Sequence, residues 1–318
     1  MGEAAGELAR PPAARRVLAV ASRLGRVGLG VVFLAAGLLK AFDPAEFAHQ
    51  MSGYGLVGPG IAAVAAPLLI AFETTLGAAL LVGFSTRATS AVAAGLLVAF
   101  IGLEAWGLAK GRTESCGCFG AYVQRTPGQV IAEDLLFLVL AALSFWGTRP
   151  RPRDPSSPPL RPSRAAAVSV IAVAALSLAF ALASPSLPID ALVTRLSVGR
   201  SLSGLGIEGK VPAEGRHLVA LLDLADPGTP AVAERLNALA GRAGAPASLV
   251  LTPSSEEEKA AFLWSAVPAF EIRTVDRTVL KRLYRRLPRF FVVDGGRVVS
   301  ILDGAPPGPE DLISLGAS

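Results

Sequence analysis

Five long, sparsely charged stretches dominate this chain, and each is about as long as a bilayer is thick. They run over Leu24–Phe42, Gly60–Gly83, Thr86–Ala109, Gly128–Gly147 and Ala165–Ala183. A helix rising 1.5 Å per residue needs roughly 20 predominantly apolar residues to cross the hydrocarbon core. Within that core no water can satisfy a backbone N–H or C=O, so an apolar stretch of this length has to be a helix. Overall composition agrees, with 52% of 318 residues hydrophobic, 17% charged and a mean hydropathy of +0.52. The expected fold class is a membrane all-α four-helix bundle plus a fifth transmembrane helix, followed by an α/β domain.

The arginines then orient the bundle. Arg10, Arg15, Arg16, Arg23 and Arg26 precede or open the first span, Arg87 sits in the turn between spans two and three, and Arg149, Arg151, Arg153, Arg161 and Arg164 crowd the linker between spans four and five. Cytoplasmic loops carry the excess of Lys and Arg. The N-terminus is therefore expected in the cytoplasm of a multi-pass protein of the cell membrane, with the C-terminal domain extracytoplasmic. The segment after span one, residues 43–59, has no Lys or Arg, whereas the loop before span four carries Lys110, Arg112 and Arg125, a mild exception. The sequence pI is near 9.6, but the positive charge gathers at span ends and forms no extended face, so no nucleic-acid partner is expected. The first span lacks a small-residue cleavage site after a short apolar core and reads as a retained helix.

The divisions expected are 1–23 as a disordered cytoplasmic tail, 24–147 as the four-helix membrane domain, 148–164 as a Pro/Arg-rich cytoplasmic linker that separates span five from the bundle, 165–183 as the fifth span, and 195–318 as the extracytoplasmic domain. In that last domain, apolar runs at Leu218–Leu222, Ser248–Leu251 and Phe270–Thr274 read as strands, with helices over Ala231–Arg242, after Ser254-Ser-Glu-Glu-Glu258, and over Asp276–Tyr284. Arg289–Val293, a turn at Asp294-Gly-Gly296, and Arg297–Leu302 read as a hairpin. Ser201–Gly209 is glycine-rich but lacks the strand–helix context of a nucleotide site and reads as a loop or hairpin.

Two cysteines stand in the whole chain, Cys116 and Cys118, separated by Gly117. On the orientation above they face the oxidising side, where a disulfide can persist. A working redox pair needs exposure and a second sulfur nearby, and this spacing supplies both. A Cys-x-Cys disulfide closes a very small ring, and strain of that kind makes a disulfide more oxidising. Lys110 and Arg112 could also lower a thiol pKa. A permanently closed structural disulfide remains open as a reading, as does Cu(I), which accepts two soft ligands. Zinc fits poorly, because two thiolates fall short of its four-ligand shell.

Acids inside the spans are costly unless they are paired, protonated or facing a polar cavity. Glu73 lies near the middle of span two, so it reads either as a proton-handling group or as one end of a buried interhelical hydrogen bond. Glu104, near the end of span three, and Glu133 and Asp134, early in span four, lie closer to the cysteine loop and could exchange the protons that disulfide formation releases. Glu133 reads more simply as an interfacial residue, and Lys40 as a partner to one of these acids or as a snorkelling cation. His49 and His217 lie far apart, with no catalytic spacing.

Several motifs carry a resemblance. Gly37-Leu-Leu-Lys-Ala-Phe-Asp-Pro44, Tyr54-Gly-Leu56, Phe72-Glu73 and, above all, Cys116-Gly-Cys-Phe-Gly120 resemble the MauE branch of the MauE/DoxX membrane proteins over about residues 20–147. That resemblance implies a four-helix membrane protein linked to disulfide formation in, or maturation of, a partner protein. About residues 195–318 resemble a membrane-tethered thioredoxin-like fold, on Leu287-Pro288 before Arg289-Phe-Phe-Val-Val-Asp294. Asp226-Pro-Gly-Thr-Pro230 falls where that fold would carry Cys-x-x-Cys, and it holds no cysteine. The residues and the resemblances together lead to the expectation of a membrane thiol–disulfide redox protein with catalytic Cys116 and Cys118, proton handling by Glu73, Glu104 and Asp134, and partner docking around Pro288. Its partner would be an extracytoplasmic thiol or disulfide protein or a thioredoxin-like one; no metal is expected and no cofactor is certain, although a quinone could regenerate the pair. A non-catalytic assembly factor with closed cysteines and a Cu(I)-binding membrane protein are the rival expectations.

Overall fold

The computed structural model describes residues 13–111, 125–147, 163–240, 242, 245–302 and 308. The chain divides into two compact units at Leu187/Pro188, and each is described by itself.

The first unit is helical. Its elements are α1 (Ala13–Ala41), α2 (Pro44–Gly53), α3 (Pro59–Val82), α4 (Thr86–Ala109), α5 (Pro127–Gly147) and α6 (Arg164–Ala183), the last followed by a 3₁₀ turn at Ser184–Ser186. Five of these, all but α2, are long and apolar enough to cross a membrane. α1 begins well before Leu24, which corrects the expected tail over 1–23: residues 13–23 contain no Gly or Pro, so nothing stops the helix from extending. α2 occupies a segment to which the sequence reading gave no element. Pro44 stands at its first turn and the Asp43 side chain accepts from the Glu46 N–H at 3.1 Å, which is a good start for a short helix.

In this unit α1 packs between α3 and α5, and α4 closes the bundle mainly against α5. α6 lies along α3 and is not separated from the bundle as the linker suggested; Phe180 meets Phe42 edge-on at 5.7 Å, and Ser184 donates to the Phe42 carbonyl at 2.9 Å. Close approach of α1 and α3 depends on glycine. A Cβ at Gly77 would sit 2.5 Å from the Leu34 backbone nitrogen, and one at Gly37 would meet the Thr74 side chain at the same distance. Small residues are what allow helix backbones to touch where lipid and Leu are equally apolar.

The second unit holds a small mixed sheet. Short helices α7 (Asp190–Val193) and α8 (Leu202–Leu205) lead into β1 (Arg216–Leu221), α9 (Thr229–Ala240), β2 (Ala247–Thr252), α10 (Glu256–Ala266), β3 (Glu271–Thr274), α11 (Arg277–Leu280), β4 (Arg289–Asp294) and β5 (Arg297–Leu302). The strand order is β3-β2-β1-β4-β5; β1, β2 and β3 run parallel, and β4 and β5 pair antiparallel to their neighbours. Each sheet face carries a core. Val219, Leu221, Leu251, Phe291 and Val293 pack on one side, and Leu218, Ala220, Val250, Phe290 and Val292 on the other, as the two-residue period of strands requires. Ser255 and Glu258 form a reciprocal capping box at the start of α10.

Two expectations for this unit need correction. The helix over Asp276–Tyr284 shortens to α11, because Leu283 and Tyr284 turn into the core beyond it. The loop expected at Ser201–Gly209 contains α8, capped by the Ser201 side chain and closed by Gly206 at φ 77°, where glycine carries no steric cost. The Leu287–Pro288 peptide preceding β4 is cis.

Candidate functional site

The interior of the membrane unit holds a group of charged side chains that the helices bring together from distant parts of the chain. Lys40, near the C-terminal end of α1, donates to both carboxylate oxygens of Glu73 on α3, each at 2.6 Å. Lys40 is 2% exposed and Glu73 0%. Counted at 1.5 Å per residue, Glu73 stands about 21 Å along α3 from Pro59 and about 14 Å from Val82, deep in the span. The lysine therefore does not snorkel. Its ammonium also lies over the rings of Phe47, at 4.9 Å, and Phe100, at 5.4 Å. Those rings supply a polarisable lining where water cannot. The α1–α3 glycine contacts above are what bring the two side chains within reach.

Asp134 on α5 lines the same small cavity as Lys40 and Glu73, together with Phe33, Phe100 and Phe137. The cavity volume is about 20 Å³, room for about one water molecule. Asp134 is 4% exposed, and its Oδ2 has no hydrogen-bond partner among the described residues. Closer to the end of α4, Glu104 accepts from the Tyr54 hydroxyl at 2.7 Å, while its other oxygen, Oε1, is buried without a partner among the described residues. Tyr54 follows α2 and packs against Leu103 of α4 and Val130 of α5. Glu104 lies about 8 Å along α4 from Ala109, and Asp134 about 10 Å along α5 from Pro127. These are the two helix ends joined by the cysteine-bearing loop.

The arrangement is a buried ion pair, two further buried carboxyls with unmet oxygens, and a phenol. A carboxyl with an unmet oxygen in an apolar interior is costly as an anion, and holding or releasing a proton is the chemistry open to it. Lys40 meets both oxygens of Glu73 and Tyr54 meets one of Glu104, whereas Asp134 Oδ2 has no partner among the described residues.

The structure brings Glu73 and Asp134 to one cavity and sets Glu104 nearer the loop with Tyr54. Glu133 pairs with Arg125 at the start of α5, half-exposed, as an interfacial residue would. Cys116 and Cys118 lie outside the described residues. Lys110 is described, and its ammonium lies 4.9 Å from the Trp106 ring. Among the described residues no group of His, Cys, Asp and Glu has the geometry to hold a metal. Pro288 belongs to the second unit and is exposed. Sequence reasoning named Tyr54 only within a motif and missed it as the partner of Glu104; an aromatic in a loop carries no periodic signal. It also left the partner of Lys40 open, although two charges in neighbouring spans were the signal that pointed to it.

Residues 18–147, from within α1 to the end of α5, match the family model described as methylamine utilisation protein MauE. No curated protein matches the chain.

Proposed function

The membrane unit belongs to the MauE family, and from that premise we propose that this methylamine-utilisation-associated, multi-pass membrane protein supports thiol–disulfide exchange with an extracytoplasmic partner through Cys116 and Cys118. The observation that carries the reading is the pair of buried carboxyls, Asp134 and Glu104, on the two helices whose ends the cysteine loop joins. In the forward direction a partner thiolate attacks the Cys116–Cys118 disulfide and forms a mixed disulfide. The partner's second thiolate then displaces it, leaving an oxidised partner and a reduced Cys pair. Two protons and two electrons leave the partner dithiol. A lipid-soluble quinone, if bound, would supply the acceptor for the two electrons and two protons released when the pair is reoxidised. Glu104 and Asp134 serve as proton-handling groups along that route, and Glu73, held by Lys40, keeps the helices in register beside them.

The second unit serves this reading as a docking platform with its surface around Pro288. Three parallel strands followed by an antiparallel hairpin, in the order β3-β2-β1-β4-β5, support a thioredoxin-like fold. The segment at Asp226–Pro230 has no cysteine, so any thiol chemistry in the chain belongs to the membrane unit. The positive charge of the flanking segments supports a cell-membrane location with the N-terminus inside and this unit outside.

Thiol trapping at a series of imposed potentials tests the reading. Cys116 and Cys118 are expected to titrate as one two-electron couple, and Cys116→Ser to accumulate a mixed disulfide through Cys118. A pair that stays oxidised under strong reduction, with partner maturation unaffected by Cys→Ser changes, would leave a structural disulfide and an assembly factor. Stoichiometric copper lost on Cys→Ser would leave a metal site.

A further inference from the structure

Docking at Pro288, as proposed above, leaves the chemistry of the docked segment open, and the charge around that proline supplies it. Residues 281–289 read Lys-Arg-Leu-Tyr-Arg-Arg-Leu-Pro-Arg, with five cations and no anion. Leu283 and Tyr284 are buried in the core, so the backbone here is anchored. Lys281 turns inward and donates to the Arg285 carbonyl at 3.2 Å. Arg286 is exposed beside the exposed Pro288, and Arg282 is half-buried. Arg195, also exposed, joins them through its backbone N–H, which donates to the Arg282 carbonyl at 2.7 Å. Among the described residues none of these three forms an ion pair. The Nε of Arg282 is buried and lacks a hydrogen-bond acceptor among the described residues.

Asp190 lies 3.9 Å from Arg285, which leaves Arg282 and Arg286 of this run without an acid beside them among the described residues. A planar guanidinium fork matches a carboxylate in two parallel hydrogen bonds. Arg195 and Arg286 are exposed, where carboxylates on a flexible acidic segment can pair with their guanidinium forks. We propose that Arg195, Arg282 and Arg286 form a cationic docking surface for an acidic, Asp/Glu-rich segment of the partner protein. This rests on the docking role assigned to the Pro288 face.

The test uses the full chain in nanodiscs of neutral phosphatidylcholine and a fluorescent deca-glutamate peptide as probe. Saturable binding is expected, weakened about fivefold or more at low salt by the combined change Arg195→Gln, Arg282→Gln and Arg286→Gln. A control set, Arg200→Gln, Arg235→Gln and Arg242→Gln, removes the same charge from exposed positions elsewhere and is expected to change binding less than about twofold. Equal losses in the two sets, or no saturable binding, overturn the proposal. So does tighter binding to phosphatidylglycerol vesicles than to the peptide with the same dependence on the three arginines, which would make the surface a lipid site. Where the triple variant melts early, Arg286→Gln alone, at an exposed position, carries the comparison. The measurement is repeated in the Cys116→Ser, Cys118→Ser chain. Peptide binding retained while thiol exchange fails in the parent chain sinks the redox reading and keeps the docking surface; normal exchange without peptide binding does the reverse.

Discussion

Both units of this chain bury apolar side chains, but the membrane unit adds buried carboxyls and leaves large apolar side chains exposed. In the membrane unit the interior takes Lys40, Glu73, Glu104, Asp134, Ser22, Ser90 and Ser144, while Leu24, Leu68, Leu136, Ile171 and Leu176 stand exposed. In the second unit both faces of the sheet bury Leu, Val, Ile and Phe. The rule beneath both is the same. Apolar surface leaves water at about 25 cal/mol per Å², so in the second unit burial itself drives assembly. Helices already in hydrocarbon gain nothing from hiding leucine, and what decides their contacts is close packing through small residues and the pairing of polar groups. Hence Gly77 against Leu34, Ser90 against the Ser144 hydroxyl at 2.7 Å, and Lys40 against Glu73.

That contrast can be broken by substitution. The largest effects are expected from the group each interior depends on. Glu73→Ala strands a buried lysine and should cost about 3–5 kcal/mol in thermal or denaturant unfolding of the membrane unit in detergent, with most of it recovered in the double change Lys40→Met, Glu73→Leu. Phe291→Ala opens a cavity in the second unit and should cost a similar ~3–5 kcal/mol there, with no recovery from a polar partner. If Glu73→Ala proves nearly neutral, the ion pair does not organise the bundle and the comparison fails on that side. Gly77→Leu forces α1 away from α3 and should cost about 1–3 kcal/mol, a step that the same volume added on the lipid face at Leu68 would not show. Tyr54→Phe leaves a Glu104 oxygen without its donor and should cost about 1–3 kcal/mol in the membrane unit alone.

The smallest expected effect concerns pH and the second unit. Hydrogen bonds from the Thr278 hydroxyl and N–H hold the Asp276 carboxyl below its ordinary 3.8. A carboxyl lowered by folding contributes stability above its unfolded value and loses it as pH falls through the folded one. Melting of the second unit should therefore weaken slightly below about pH 4, and Asp276→Asn should flatten that slope. An unchanged slope would remove the cap from the account.

Much of the architecture was legible in the residues. Five spans, the β4–β5 hairpin and the capped start of α10 follow from apolar length, Asp-Gly-Gly turn chemistry and a Ser-to-Glu cap, all local properties. α2 escapes a reading by apolar length, because its ten residues are of mixed polarity and too few to mark a span. The extension of α1 back to Ala13 was hidden by arginines that the orientation rule had already explained. The tail of the Asp276–Tyr284 helix failed for the opposite reason, since tertiary burial of Leu283 and Tyr284 overrode helix propensity.

The candidate site shows the same division. Composition alone required that Glu73, Glu104 and Asp134 be buried at a cost and find partners, because a span cannot hold an ion without one. Which partner Glu73 and Glu104 found was a matter of helix neighbours. Lys40 meets Glu73 because glycines let α1 and α3 touch, and Tyr54 meets Glu104 because α2 returns the chain to the end of α4. The sequence by itself determined that this chain crosses a membrane, that a second unit follows, and that its cysteines number two with one glycine between them. Tertiary structure alone decided that an ion pair, two carboxyls and a phenol share one interior, since contacts between residues 33 to 50 positions apart leave no trace in local periodicity.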